Sequence, residues 1–408
     1  MTDVYIRSAV RTPMGGMQGA LSALSAPQLG AAAIAAALSR AGTDPQAVDE
    51  VLMGCVLPAG QGQAPARQAA LGAGLPQSVP AVTLNKMCGS GMQALMSASD
   101  SIRAGSARTI VAGGMESMTN APYLLPKMRG GARLGHAEVK DSMFLDGLED
   151  AYDKGRLMGT FAEDCAGQFQ FTREAQDDYA LRSLTRAKAA IAEGRFADEV
   201  VAVTVAGRGG ETVVDTDEQP GNARPDKIPT LKPAFRKDGT VTAANSSSIS
   251  DGAAALVLSD DPDGAIARIV GHAGHAQAPA DFPTAPVPAA EKLLARIGWT
   301  RDDVDLWEVN EAFAVVPMAF MQKMGLSPEV VNVNGGACAL GHPRRFGGAD
   351  RRDAGPRAGP AGQEARRRRD LHRRRRGHGD RGRDDVTQPR HPVQTNRLEM
   401  VERGAQLR

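Results

Sequence analysis

Ala81-Val82-Thr83-Leu84-Asn85-Lys86-Met87-Cys88-Gly89-Ser90-Gly91, running on into the breaker-free stretch Met92–Arg103, decides the fold. An apolar, partly β-branched run passes through a small-residue turn into a helical segment, which is the strand–turn–helix unit of a layered α/β protein. Outward from it the alternation continues. Val4–Ile6 and Val51–Val56 read as strands, and Gln28–Ala41 reads as a helix. Thr109-Ile110-Val111-Ala112 reads as a strand that leaves into a turn at Gly113-Gly114. Strands and helices in alternation imply a mostly parallel sheet with helices on its faces.

Residues 121–243 break this rhythm, with frequent Pro, Gly and charge, one clear helix (Arg173–Glu193) and one strand-like run (Val200–Val205). They read as an excursion from the α/β core. From Thr240 the first pattern resumes: Ala253–Leu258, Ala267–Val270, Leu306–Val309 and Val331–Val333 are strand-like, and Ala289–Ile297 is helical. The second region echoes the first, since Val331-Asn332-Val333-Asn334-Gly335-Gly336-Ala337-Cys338 is again strand, Asn and small-residue turn. Duplication of one α/β unit is the economical reading.

Of the 408 residues, 42% are hydrophobic and 23% charged, which excludes disorder for residues 1–343. The net charge of +1 hides an asymmetry. Residues 344–408 hold 19 Arg, no Lys and nine Asp plus Glu, so that stretch carries +10 and the preceding body −9. Two four-Arg runs (366–369 and 373–376), with Phe346 and Leu371 the only large apolar residues between 344 and 385, predict a disordered tail. Polyarginine attracts phosphates unspecifically, but nothing there has the aromatic interleaving of a specific nucleic-acid site. No apolar run reaches the roughly 20 residues of a membrane span. The start lacks the features of a signal peptide. Four widely spaced cysteines without C-x-x-C point to a reducing, cytoplasmic compartment, with neither disulfide scaffold nor zinc ribbon.

Cys88 lies between the predicted strand and helix, flanked by Gly89 and Gly91. A thiol there meets the positive end of the helix dipole, which favours the thiolate, and small neighbours admit a bulky substrate. Taken alone, a Cys in an Ala/Gly-rich protein reads first as a buried small hydrophobe; in this strand–turn–helix setting the two readings weigh equally. His342 follows Gly335-Gly336-Ala337-Cys338-Ala339-Leu340-Gly341 on a glycine-rich loop, where a base for nucleophilic acyl transfer could sit; a carbonyl-capping loop histidine fits as well. Asn310, in Asn310-Glu311-Ala312-Phe313-Ala314, could hold a water or donate to an oxyanion, or serve as an ordinary helix cap. G-x-G-x-x-G, P-loop, G-x-S-x-G and H-E-x-x-H patterns are absent from the body.

NKMCGSGMQA (85–94), GGMESM (113–118), SSSISDGAAA (246–255), NEAFA (310–314) and NVNGGACALGHP (332–343) together resemble the thiolase family, and within it the biosynthetic acetyl-CoA acetyltransferases. The resemblance runs in order over residues 1–343. It implies a five-layered αβαβα fold: an N-terminal half (1–120), an inserted loop domain (121–243) and a truncated C-terminal half (244–343), with the Arg-rich stretch 344–408 outside it. It implies a reversible Claisen condensation of two acetyl-CoA to acetoacetyl-CoA plus CoA, as part of fatty acid metabolism. Cys88 would carry the acyl group, His342 would activate it, Asn310 would hold a water, and Ser247 would lie near the pantetheine arm. Coenzyme A thioesters would be the substrates, with no metal, no further cofactor and no membrane or specific nucleic-acid partner. A homo-oligomer, dimer or tetramer, would be the working form. Leu157, in RLMGTFAE, stands where many acetoacetyl-forming members have His, which loosens the inference about chain length.

After Gly-His-Pro the sequence departs from that family, which continues I-G-A-S-G-A-R-I and later C-I-G-G-G, whose Cys deprotonates the second acetyl-CoA. No Cys follows Cys338 here. Back-translating Leu371–Arg381 with GC-rich codons and reading one base later gives C-I-G-G-G-E-A-T-A-I. The same shift lets Arg344–Asp350, with the first base of Arg351, give G-A-S-G-A-R-I. The pattern points to a shift of reading frame near Pro343. The rival reading is a catalytically dead remnant whose basic tail binds anionic partners unspecifically.

Overall fold

Strands buried on both faces build the centre of the molecule. The computed structural model describes residues 2–207 and 209–341. The first half supplies β1 (Val4–Arg11), β2 (Gly15–Gly16), β3 (Glu50–Gly54), β4 (Ala81–Leu84) and β5 (Thr109–Ser117). The insertion holds two small antiparallel pairs, β6 (Tyr123–Leu124) with β7 (Lys140–Asp141) and β8 (Val203–Gly207) with β9 (Gly210–Val214). After it come β10 (Ser250–Ser259) and β11 (Ala267–Ile269). The main sheet has the order β11-β1-β10-β5-β3-β4, with β2 attached to β10.

β3 runs parallel to β4 and to β5, and β10 runs antiparallel to both β1 and β5. The four long strands of the first 117 residues therefore point one way, but the sheet as a whole is mixed, not mostly parallel. β10 enters from the long insertion and not through a βαβ crossover, so no crossover fixes its direction. Odd and even positions separate cleanly. Val51, Met53, Val111, Met115, Ala253 and Ala255 face α1 (Ala26–Ala41) and α2 (Pro65–Gly72). Leu52, Ile110, Ala112, Ala254 and Leu256 face α3 (Ser90–Arg103), which presents Ala94, Leu95, Ala98 and Ile102. A strand packed on both faces has this unbroken apolar character.

β5 continues through Gly113 and Gly114 to Ser117, where the sequence suggested a turn. A Cβ at Gly113 would lie 2.0 Å from the Ala254 carbonyl oxygen, so this glycine serves close strand approach. In the insertion, α4 (Met158–Phe169) precedes α5 (Arg173–Ala192), which Thr172 caps by accepting the Ala175 N–H at 3.2 Å. The sequence did not suggest α4, whose Gly159 is needed because a Cβ would meet the Phe235 ring at 2.3 Å. Short α6 (Glu218–Asn222) follows.

The second half contributes α7 (Pro286–Ile297), α8 (Val315–Met324) and short α9 (Ala337–Leu340). The strands expected at 306–309 and 331–333 are reduced to one parallel bridge, Trp307 to Val331. The cause is Asn332. Its φ of +48° ends the extended run, and its side chain takes the place of a partner strand, accepting from the Val309 N–H at 2.7 Å and donating to the Val309 carbonyl at 2.8 Å. Among the described residues no helix is long and apolar enough to cross a membrane. The expected tail disorder, and the family's helix and strand after Pro343, fall outside the described residues.

Candidate active site

The turn after β4 is fixed by its own polar side chains. Asn85 Oδ1 accepts the Met87 N–H at 2.9 Å, and Met87 takes the left-handed conformation (φ +51°). Ser90 Oγ accepts the Lys86 N–H at 2.8 Å and donates to the Met87 carbonyl. Cys88 emerges half-buried from this turn, with Gly89 as the cap of α3. Gly54, the last residue of β3, lets the helix start this close: a Cβ there would lie 2.6 Å from Ser90 Cβ and 2.8 Å from the Gly91 nitrogen. The adjoining wall is held by Glu116, buried at 1% exposure, which accepts the Val56 N–H at 2.9 Å and the Leu57 N–H at 3.1 Å. The thiol thus stands beyond the C-terminal ends of parallel strands, where open α/β sheets bind their ligands.

The same edge of the sheet is where β10 begins, since Asp251 pairs with Ser117 at the end of β5. Three segments meet there. Ser246 bridges Phe313, and the Ser247 N–H donates to the Ala312 carbonyl at 3.0 Å, so the Ser247 loop lies along the Asn310–Ala314 segment. Ser247 Oγ is buried and has no hydrogen-bond partner among the described residues. The third segment is the glycine-rich loop. A Cβ on Gly341 would fall 2.1 Å from Ser250 Oγ and 2.9 Å from Ser248 Oγ, so the loop ends against the start of β10. Asn310 is buried and follows Val309, whose backbone Asn332 holds. His342, the next residue after Gly341, lies outside the described residues.

The thiolase N-terminal domain matches residues 4–261 and the thiolase C-terminal domain residues 264–352. The chain belongs to the thiolase family. Acetyl-CoA acetyltransferase 2 of Arabidopsis thaliana is 52% identical over 357 residues, covering 85% of this chain and 88% of that protein. Acetyl-CoA acetyltransferase of Cupriavidus necator is 48% identical over 351 residues, covering 84% and 89%. The Acat5 thiolase of Ascaris suum, solved in complex with coenzyme A, superposes with a TM-score of 0.79 at 41% identity, over 84% of this chain and 89% of that one. The acetyl-CoA acetyltransferase of Bacillus anthracis gives 0.81, also at 41% identity, over 84% and 88%. The layered thiolase fold is the fold of this chain.

Within this thiolase Cys165 and Cys338 are held as thiols. Burial pushes the Cys165 thiol up to about 12. Burial and, next, the Glu311 carboxylate push the Cys338 thiol well up. Neither is disposed to ionise near neutrality. Among the described residues no group of three or more His, Cys, Asp or Glu is arranged to hold a metal ion. The sequence reading passed over Glu311, fully buried and receiving the Tyr179 hydroxyl, the Ser183 hydroxyl and Asn332 Nδ2, each at 2.8 Å, and the Cys338 N–H at 2.9 Å. A signal was there: an acid inside apolar NEAFA, and two hydroxyls four residues apart on one helix face.

Proposed function

We propose that this thiolase is an acyltransferase that condenses two acetyl-CoA to acetoacetyl-CoA plus CoA, reversibly, through an acyl-Cys88 intermediate. The observation that carries the reading is the place of Cys88, at the C-terminal strand edge ahead of the 14-residue helix α3, in a turn held open by glycine. The names of the relatives, and the coenzyme A complex of the Ascaris suum enzyme, support the substrate class. In the first half-reaction the Cys88 thiolate attacks the thioester carbonyl, and CoA leaves as the thiol once protonated. In the second, an α-proton is removed from another acetyl-CoA, and its carbanion attacks acetyl-Cys88. Acetoacetyl-CoA leaves and the thiolate is regenerated. His342 takes the Cys88 proton, Asn310 holds a water beside the developing oxyanion, and Ser247 contacts the pantetheine arm. The buried Oγ of Ser247 suits such a contact, because a hydroxyl removed from water gains from a ligand partner.

The reaction runs on thioester chemistry, with coenzyme A thioesters as substrates and no further cofactor in the account. We also read the chain as a cytoplasmic enzyme of fatty acid metabolism and as a homo-oligomer, a dimer or tetramer. The edge strand β4, with Val82 at 45% exposure, and the loop bearing Tyr123, Leu125 and Leu134 offer apolar surface for self-association. The match to the family ends at residue 352, and no Cys follows Cys338. A shifted frame beyond Pro343 accounts for both, and leaves the second half-reaction without its usual base. The test of the assignment is rapid mixing with acetyl-CoA: about one free CoA thiol released per subunit in a burst supports acyl-enzyme formation. No release, with the chain folded, would refute it.

A further inference from the structure

We propose that Glu311 is a positioning residue for acyl transfer, holding in register the two segments of the C-terminal half that face the substrate; this rests on the acyl-Cys88 reading above. Its carboxylate is a four-way junction. Oε1 accepts from the Tyr179 hydroxyl and from Asn332 Nδ2, both at 2.8 Å. Oε2 accepts from the Ser183 hydroxyl at 2.8 Å and from the Cys338 N–H at 2.9 Å. These donors come from three separate pieces of chain: helix α5, the end of the extended run at Asn332, and the first turn of α9. Three of the four bonds lead on to the site. Asn332 clasps the backbone of Val309, the residue before Asn310. Ser183 Oγ accepts the Gly336 N–H at 2.9 Å, and Cys338 lies four residues before His342 in the chain.

Two of the loop's three glycines, Gly335 and Gly336, are explained by this junction. A Cβ at Gly336 would fall 2.3 Å from the Glu311 carboxyl carbon. One at Gly335, where φ is +78°, would fall 2.4 Å from the Ser183 carbonyl oxygen. The junction therefore seats the loop directly on the acid and on α5. Four donors and no competing acceptor demand an acceptor-only group at the centre, which a carboxylate supplies and an amide does not. In Glu311→Gln the shape is kept, but the new NH2 group faces two donors in place of an acceptor. Both segments would then shift together, and a small misplacement of reacting groups costs rate far more than ground-state binding.

The experiment compares full-length wild-type and Glu311→Gln protein in single-turnover acylation by radiolabelled acetyl-CoA. The expected result is a rate constant at saturation lower by about 10–100-fold, with the half-saturating concentration changed by less than about twofold. Ser183→Ala, which removes one donor and the Gly336 contact, serves if the first variant does not fold. It should give a smaller fall of the same kind, again without a change in half-saturation. A lowered melting temperature with an unchanged rate constant, in whichever variant folds, would overturn the proposal and leave Glu311 a purely structural acid. Equal loss of rate and of half-saturation would overturn it too. Failure of the wild type to become acylated would instead take down the acyl-Cys88 reading and this inference with it; wild-type acylation matched by the variants removes the inference alone.

Discussion

At the scale of single residues, surroundings decide which thiol reacts. Cys165, on the inner face of α4 and at 4% exposure, has its thiol raised by burial to about 12. At pH 7 such a group is thiolate in about one molecule in 10⁵. Iodoacetamide at neutral pH should therefore leave Cys165 unmodified in the folded protein, and peptide mapping after brief alkylation checks this. Cys338 follows the same logic, so its raised thiol does not offer the thiolate that would replace the missing second base. Asp251 gives a pH prediction. Burial raises its carboxyl above the ordinary 3.8, partly offset by donors from Thr119, Met118 and Ser117. The folded state therefore binds that proton more tightly than the unfolded chain. Its contribution to stability is full below the unfolded value and lost as pH rises through the folded one. Asp251→Asn abolishes this loss, so its urea midpoint should decline less than the wild type's between about pH 4 and pH 7. An equal decline would show that other groups set the slope.

Among the elements, the contact of β3 with α3 has the most direct bearing on function. Gly54→Ala would drive a methyl into Ser90 and the Gly91 backbone at 2.6–2.8 Å, and neither is a flexible side-chain end. The expected cost is about 1–3 kcal/mol from overpacking. Because Cys88 stands at the start of α3, acylation should slow as well, measured as burst rate beside the melting temperature. Much of this level could be read from sequence. α3, α5 and α7 declare themselves by breaker-free helical runs, and apolar runs beside polar turns mark β1, β3 and β4, although β1 runs on past Ile6 to Arg11 and β3 stops at Gly54. Other features could not, for physical reasons. Gly113-Gly114 looks like a turn because a strand glycine needed for close packing is indistinguishable from a turn glycine until its neighbour strand is known. The run 331–333 looks like a strand because nothing local shows that Asn332 will turn inward and hold Val309. The Cys88 turn was legible because strand, small residues and helix lie consecutively. The Glu311 junction was not, because its donors come from residues 179, 183, 332 and 338.

Over the whole molecule, composition changes near Pro343, from a body carrying −9 to a last 65 residues carrying +10 with 19 Arg. On the proposed shift of frame, restoring it would return a helix, a strand and the second Cys of the thiolase pattern. Even a few extra buried side chains, at about 1.5–3 kcal/mol each, are comparable with a domain's margin of about 5–15 kcal/mol. The frame-restored chain should thus melt higher and give more soluble protein than the 408-residue chain; equal values would show the lost elements to be dispensable. The two half-reactions should also separate. On the proposed mechanism, acylation draws on Cys88, His342 and Asn310, whereas condensation lacks its usual base, whose loss costs about 10²–10⁴ in rate. The 408-residue protein should therefore acylate slowly and make almost no acetoacetyl-CoA, while the frame-restored protein does both.

Cys88 is the proposed carrier of the acyl group. Incubation of the folded chain with radiolabelled acetyl-CoA, acid quench and peptide mapping tests it most directly. Label is expected on the peptide containing Cys88, and none on that peptide after Cys88→Ala. Label confined to Cys55, Cys165 or Cys338, with Cys88 unmodified, would contradict it.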